Sequence, residues 1–236
     1  MVKNSITNLF VPGLLSDERV WRKVCKSIEG NNAVANVTRD NDIREMAKRL
    51  LAEHAGKLLI IGHSMGARVA IEMAYQAPER VEGLVLANTG HAPLQQGERE
   101  RRQCKILMAH ENMQQMVAEW LPPMLAEGRD TDVPLVADLT DMATQIGPII
   151  HQQQIEALIN RPNATEILPQ ISCPVLLITG DKDLWSPLKQ HQEMAELLTS
   201  VTLKVIKNAG HFMPIEQPDS TQSIIAAWMR STFLEG

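Results

Sequence analysis

Aromatic side chains are scarce: one tyrosine, three phenylalanines and four tryptophans, 3% of 236 residues. With twelve methionines in place of rings, any internal pocket is expected to be lined by aliphatic and thioether groups. Cysteine is sparse too. Cys25, Cys104 and Cys173 stand far apart, which gives neither a disulfide framework nor metal-ligand spacing. A buried structural thiol in a reducing, cytoplasmic setting is the expectation for each. Long apolar runs are absent. Leu58 to Ile61 and Val175 to Ile178 are strand-length, far short of the roughly 20 residues that cross a bilayer. The stretch from Met1 to Ser5 runs straight into a strand pattern with no signal-peptide core. There is no excess of positive charge either: 23 basic against 28 acidic residues leave −5, which argues against a nucleic-acid partner.

What remains is an ordinary globular composition, 44% apolar, in a chain long enough for one large core. Strand and helix signals alternate. Strands are expected at Ser5–Val11, Ala33–Thr38, Lys57–Gly62 and Val81–Asn88. Helices are expected at Asp17–Ile28, Asp42–Ala55 and Ser64–Gln76, with Ser16 or Asp17 as the first N-cap. From about His91 to Thr165 the pattern is helical without a convincing strand: Glu98–Trp120, Val133–Gln145 and Pro148–Asn160. The alternation then returns, with strands at Cys173–Thr179 and Thr202–Ile206 and helices at Leu188–Leu198 and Asp219–Phe233. Such order predicts an α/β fold with a parallel sheet and a helical insertion between two of its strands.

The segment Leu58-Leu59-Ile60-Ile61-Gly62-His63-Ser64-Met65-Gly66-Ala67 reads as a buried strand, a sharp turn and an Ala-rich helix. A serine hydroxyl is a weak nucleophile at neutral pH and needs exposure, a base and oxyanion donors. A tight strand-to-helix turn exposes it, provided the residues two before and two after are small, as Gly62 and Gly66 are. The helix N-terminus behind Ser64 also favours developing negative charge. A base and an orienting acid should follow, each just after a late strand. His211, in Asn208-Ala209-Gly210-His211, is the candidate general base. Two carboxylates compete for the acid role in Gly180-Asp181-Lys182-Asp183: Asp183 is preferred, with Asp181 expected to brace the turn. Oxyanion donors are expected from the amides of Met65 and of Leu14, in Pro12-Gly13-Leu14-Leu15 after the first strand. The remaining six histidines lack partners at ligand spacing, so no metal is expected, and the chemistry calls for no cofactor.

Together Pro12 to Leu15, the turn Gly62 to Gly66, Ala77-Pro78-Glu79-Arg80-Val81, Gly180 to Asp183 and Gly210-His211 resemble the α/β-hydrolase superfamily. The likeness is nearest to small bacterial esterases, the group that includes pimeloyl-carrier-protein methyl esterase, and to the branch of enol-lactonases and the menaquinone-pathway lyase. Pro12-Gly13 stands where family members usually carry His-Gly. The resemblance implies a mostly parallel sheet of about six strands, a core of residues 1–90 and 166–236, and a helical cap of residues 91–165 over Ser64. It implies a carboxylesterase acting on a small ester or acyl thioester through a Ser64-His211-Asp183 triad and an acyl-enzyme. A lyase or C–C bond hydrolase using the same triad for proton transfer is the alternative. A non-catalytic binding protein has no need of all three side chains. Cap residues such as Met108, Met113, Met116, Trp120 and Met124 either line an acyl pocket or pack the cap on the sheet. Arg101, Arg102 and Lys105 lie either on a solvated helix face or on a surface for an acidic acyl carrier protein. A monomer or a homodimer is expected.

Overall fold

The computed structural model describes residues 6–233. Their six strands are β1 (Thr7–Val11), β2 (Asn31–Val34), β3 (Leu58–His63), β4 (Val81–Ala87), β5 (Val175–Gly180) and β6 (Val201–Ile206). They form one parallel sheet in the order β2-β1-β3-β4-β5-β6. Ser5, the expected start of the first strand, lies outside the described residues. The continuous apolar runs have the predicted cause: β3 and β5 are buried at every residue, because helices cover both faces of a parallel sheet.

Period-two alternation divides the side chains between those faces. Leu9, Leu58, Ile60, Leu84 and Leu177 share one cluster with α2 (Ile43–Glu53), α3 (Met65–Gln76) and Met194 of α8 (Leu188–Leu197). Phe10, Leu59, Ile61, Val85 and Leu176 pack in the other with α1 (Arg22–Ser27) and α10 (Pro218–Phe233). Between β4 and its neighbour β5 the chain leaves the sheet to form α4 (Glu98–Glu111), α5 (Met113–Trp120), α6 (Val133–Ile159) and the short α7 (Ala164–Ile167). A last short helix, α9 (Met213–Glu216), precedes α10.

Three local departures from the sequence reading have side-chain causes. β2 begins at Asn31 instead of Ala33. Asn32 ties its first half down, receiving Asn8 Nδ2 at 2.8 Å and donating to the carbonyls of Cys25 and Ile28. Asn36 then accepts from the amide of Thr38 and turns the chain out of the sheet. The expected helix Glu98–Trp120 breaks at Asn112, whose side chain caps α5 by accepting from Gln115 N. The expected helix Asp17–Ile28 opens as a 3₁₀ turn, with Asp17 accepting from Arg19 N. In contrast, α6 bends where Gly147 (φ 78°, ψ 165°) precedes Pro148, which separates the two helices expected there.

Winding reverses direction between β1 and β3, since β2 lies on one side of β1 and all later strands on the other. The crevice at the carboxyl ends of such strands is where α/β sheets hold their sites. It is also where backbones approach most closely. A Cβ on Gly66 would sit 2.3 Å from the carbonyl oxygens of both Val11 and Pro12. In an open helix Gly→Ala gains up to about 1 kcal/mol. Here overpacking against fixed backbone reverses the sign, and Gly66→Ala is expected to cost roughly 3 kcal/mol, read as a lower urea midpoint.

Candidate active site

Ser64 is the single residue between β3 and α3, and its backbone is strained: φ 54°, ψ −114°. For a non-glycine residue this costs about 1–3 kcal/mol and persists only where the surroundings hold it. They do so on both sides. Ser64 N donates to Ala87 O at 2.9 Å, and Thr89 Oγ1 donates to Ser64 O at 3.0 Å. A Cβ on Gly62 would lie 2.6 Å from Ala67 Cα, so strand and helix can meet at this angle only with glycine there.

The structure brings Ser64, His211 and Asp183 together. Ser64 Oγ lies 2.9 Å from His211 Nε2, and His211 Nδ1 lies 2.9 Å from Asp183 Oδ2. Because the carboxylate can only accept, Nδ1 carries the hydrogen, and Nε2 is left to accept from the serine hydroxyl. Asp183 is buried. Burial alone would raise its pKa, but the neighbouring imidazole and its hydrogen bonds hold the carboxyl well below the usual carboxylate range. Its Oδ1 accepts from the amides of Trp185 and Ser186 at 2.9 and 2.8 Å. Asp181 points elsewhere and accepts from Asn208 N at 2.7 Å, across the two late loops.

Sequence reasoning missed Asn88. It sits just after β4 in a left-handed conformation, φ 50°, and its Nδ2 donates to Asp183 Oδ2 at 2.8 Å and to Gly210 O at 3.1 Å. No motif marks it; a polar residue at the end of a buried strand was the one available signal. Two histidines not expected to take part in the chemistry, His63 and His191, also brace the site. His63 Nε2 donates to His211 O at 2.7 Å. His191 accepts from Thr89 N at 3.2 Å.

Met65 is the first residue of α3, so its amide belongs to the helix N-terminus beside Ser64. Gly13 presses the loop after β1 against that point: a Cβ there would be 3.1 Å from Ser64 Cβ. Leu14 follows it. The loop carrying His211 is held from the insertion, through His211 N donating to Met124 O at 2.7 Å and through buried Glu216, which accepts from Gly210 N and Ala126 N. Trp120 stands edge-on to Phe212 at 5.9 Å. Met116, Val117, Leu121 and Met124 join the same apolar cluster. They are therefore packing residues between insertion and sheet.

Other expectations fall differently. Arg102 turns inward to Glu98 at 2.7 Å, Glu98 is clamped again by Arg161 at 2.8 Å, and Lys105 reaches Glu119 of α5 at 3.5 Å; of Arg101, Arg102 and Lys105 on α4, two are therefore already paired within the insertion. Cys104 is exposed, against the expectation of burial, while Cys25 and Cys173 are half-buried. Among the described residues no three His, Cys, Asp or Glu side chains gather as a metal site, and no helix is long and apolar enough to cross a membrane. A recess of about 670 Å³ between Asp17–Lys23 and the first half of α6 is lined by neither Ser64 nor His211.

Three buried histidines set an acid limit on stability. Burial holds His63 down to about 3 and His151 and His191 to about 4, whereas each titrates near 6.5 when unfolded. Below pH 6.5 the unfolded chain binds more protons, so stability falls as pH falls from about 6.5 to about 4. The slope is roughly 1 kcal/mol per pH unit for each histidine. The urea midpoint should hold above pH 7 and drop steeply by pH 5; a flat profile would contradict the neutral, buried state.

The family model described as serine aminopeptidase, S33, matches residues 40–218. A Bacillus subtilis protein provisionally named 2-succinyl-6-hydroxy-2,4-cyclohexadiene-1-carboxylate synthase is 27% identical, over 94% of this chain and 85% of its own length. A provisionally named carbamate hydrolase of Yersinia enterocolitica is 26% identical, over 78% of this chain and 67% of its own. A thermophilic esterase from Thermogutta terrifontis superposes with a TM-score of 0.87 at 25% identity, covering 96% of this chain and 90% of the esterase. By fold and by sequence, the chain belongs to the serine aminopeptidase (S33) family of α/β-hydrolases.

Proposed function

We propose that the protein is a serine hydrolase that cleaves carboxylic esters through an acyl-enzyme on Ser64. One observation carries the reading: Ser64 Oγ, His211 and Asp183 are linked by two 2.9 Å contacts, on a backbone strained at the serine alone of the three. In the forward step His211 Nε2 takes the Ser64 proton as Oγ attacks the ester carbonyl. Asp183, kept ionised by its donors, stabilises the imidazolium. The Leu14 and Met65 amides receive the oxyanion. Collapse expels the alcohol, protonated by His211. Water activated by the same nitrogen then releases the acid. Neither metal nor cofactor enters this scheme. Residues 91–165 serve as the cap and 1–90 with 166–236 as the core. The three free thiols fit the reducing cytoplasm.

A second reading draws on the synthase relative: a lyase in which His211 and Ser64 move a proton without a covalent step. The two readings part at the acyl intermediate.

With short p-nitrophenyl esters, Ser64→Ala should lower kcat by at least roughly 10⁴-fold while far-UV circular dichroism stays unchanged. Retained activity would remove Ser64 from the chemistry. Asp183→Asn should lower kcat by about 10³–10⁴-fold. Asp181→Asn, which keeps an acceptor for Asn208 N, should stay within about threefold. The reverse order would move the acid to Asp181.

A further inference from the structure

Gln154 lies in the second half of α6 and is fully buried. A buried amide is costly unless both ends are partnered, and here both are. Its Oε1 accepts from Leu15 N at 2.9 Å, and its Nε2 donates to Val37 O at 3.2 Å. One side chain thus ties the insertion to the loop after β1 and to the segment after β2. The bend at Gly147 and Pro148 makes this reach available. The first half of α6 packs with the apolar cluster that contains Phe212, whereas Ala157 and Leu158 in its second half belong to the opposite cluster.

The loop it grips is strained. Leu15 has φ 53°, a region that L-residues other than Asn and Asp seldom adopt. Its side chain is buried and its amide is taken by Gln154. With that amide engaged, Leu15 is withdrawn from the site, and the neighbouring Leu14 amide is the oxyanion donor proposed above. Gly13 lets this turn lie close to Ser64, since a Cβ there would be 3.1 Å from Ser64 Cβ. We propose that Gln154 is a positioning residue that aims the Leu14 amide at the oxyanion, so that the insertion completes the hydrolytic site from outside the sheet. The inference rests on the Ser64 reading given above.

A group that orients an oxyanion donor acts on the transition state more than on bound substrate. In Gln154→Met, kcat for p-nitrophenyl acetate should fall about 10- to 100-fold, with KM within about threefold. Affinity for phenylboronic acid, a tetrahedral mimic on Ser64, should fall alongside kcat. Gln154→Glu separates positioning from packing. When protonated, the introduced carboxyl accepts from Leu15 N and donates to Val37 O as the amide does. Its activity, as a ratio to the unsubstituted enzyme, should therefore be high at low pH and fall as pH rises and the carboxyl ionises. A folded Gln154→Met with kcat and boronic-acid affinity within about threefold of the unsubstituted enzyme overturns the proposal. If Gln154→Met does not fold, a Gln154→Glu ratio that is flat with pH overturns it. If the unsubstituted protein neither cleaves the ester nor takes up a fluorophosphonate on Ser64, the Ser64 reading fails and this one with it. If it does both and only Gln154→Met is without effect, this proposal alone fails.

Discussion

The close approach of three backbones around Ser64 is the constraint on which the rest of the site depends. β3 must turn into α3 within one residue while the end of β1 passes against the first turn of that helix. A single methyl group on Gly62 or Gly66 would meet backbone atoms at 2.6 or 2.3 Å. The strain at Ser64 is the consequence, and it is held by Ala87 O on one side and Thr89 Oγ1 on the other. Ala87 is the last residue of β4, the next strand in the sheet, and Thr89 lies two residues beyond it. Sheet order, glycine placement and serine exposure are thus one physical problem with one solution.

The insertion is knit into that solution at several points. Met124 O receives the amide of His211. Glu216, its carboxyl raised by burial, bridges Gly210 N and Ala126 N. Gln154 reaches Leu15 at the opposite lip. At its base, Arg161 bonds both oxygens of Glu98 and the carbonyls of Ala92 and Pro93. Family membership speaks to hydrolytic chemistry of this general type.

Much of the fold was legible because its signals are local. Four consecutive apolar residues announce β3. Gly62-x-Ser64-x-Gly66 announces the turn, and Gly147-Pro148 announces the bend in α6. Features that rest on distant partners left no trace. β2 is displaced by Asn8, 24 residues from Asn32. Asn88 matters through Asp183, 95 residues on, and Gln154 through Leu15, 139 residues back. Between Asp181 and Asp183 the sequence favours Asp183 as the acid. Two residues apart in one turn, they face different partners in the tertiary structure, Asn208 N for Asp181 and His211 Nδ1 for Asp183.

The most direct measurement is acid-quenched mass spectrometry during turnover of a p-nitrophenyl ester, followed by peptide mapping. The expected result is one acyl group on the peptide containing Ser64, lost on further incubation as the carboxylic acid appears. Turnover with no adduct, or with the acyl group on another residue, would contradict covalent hydrolysis at Ser64.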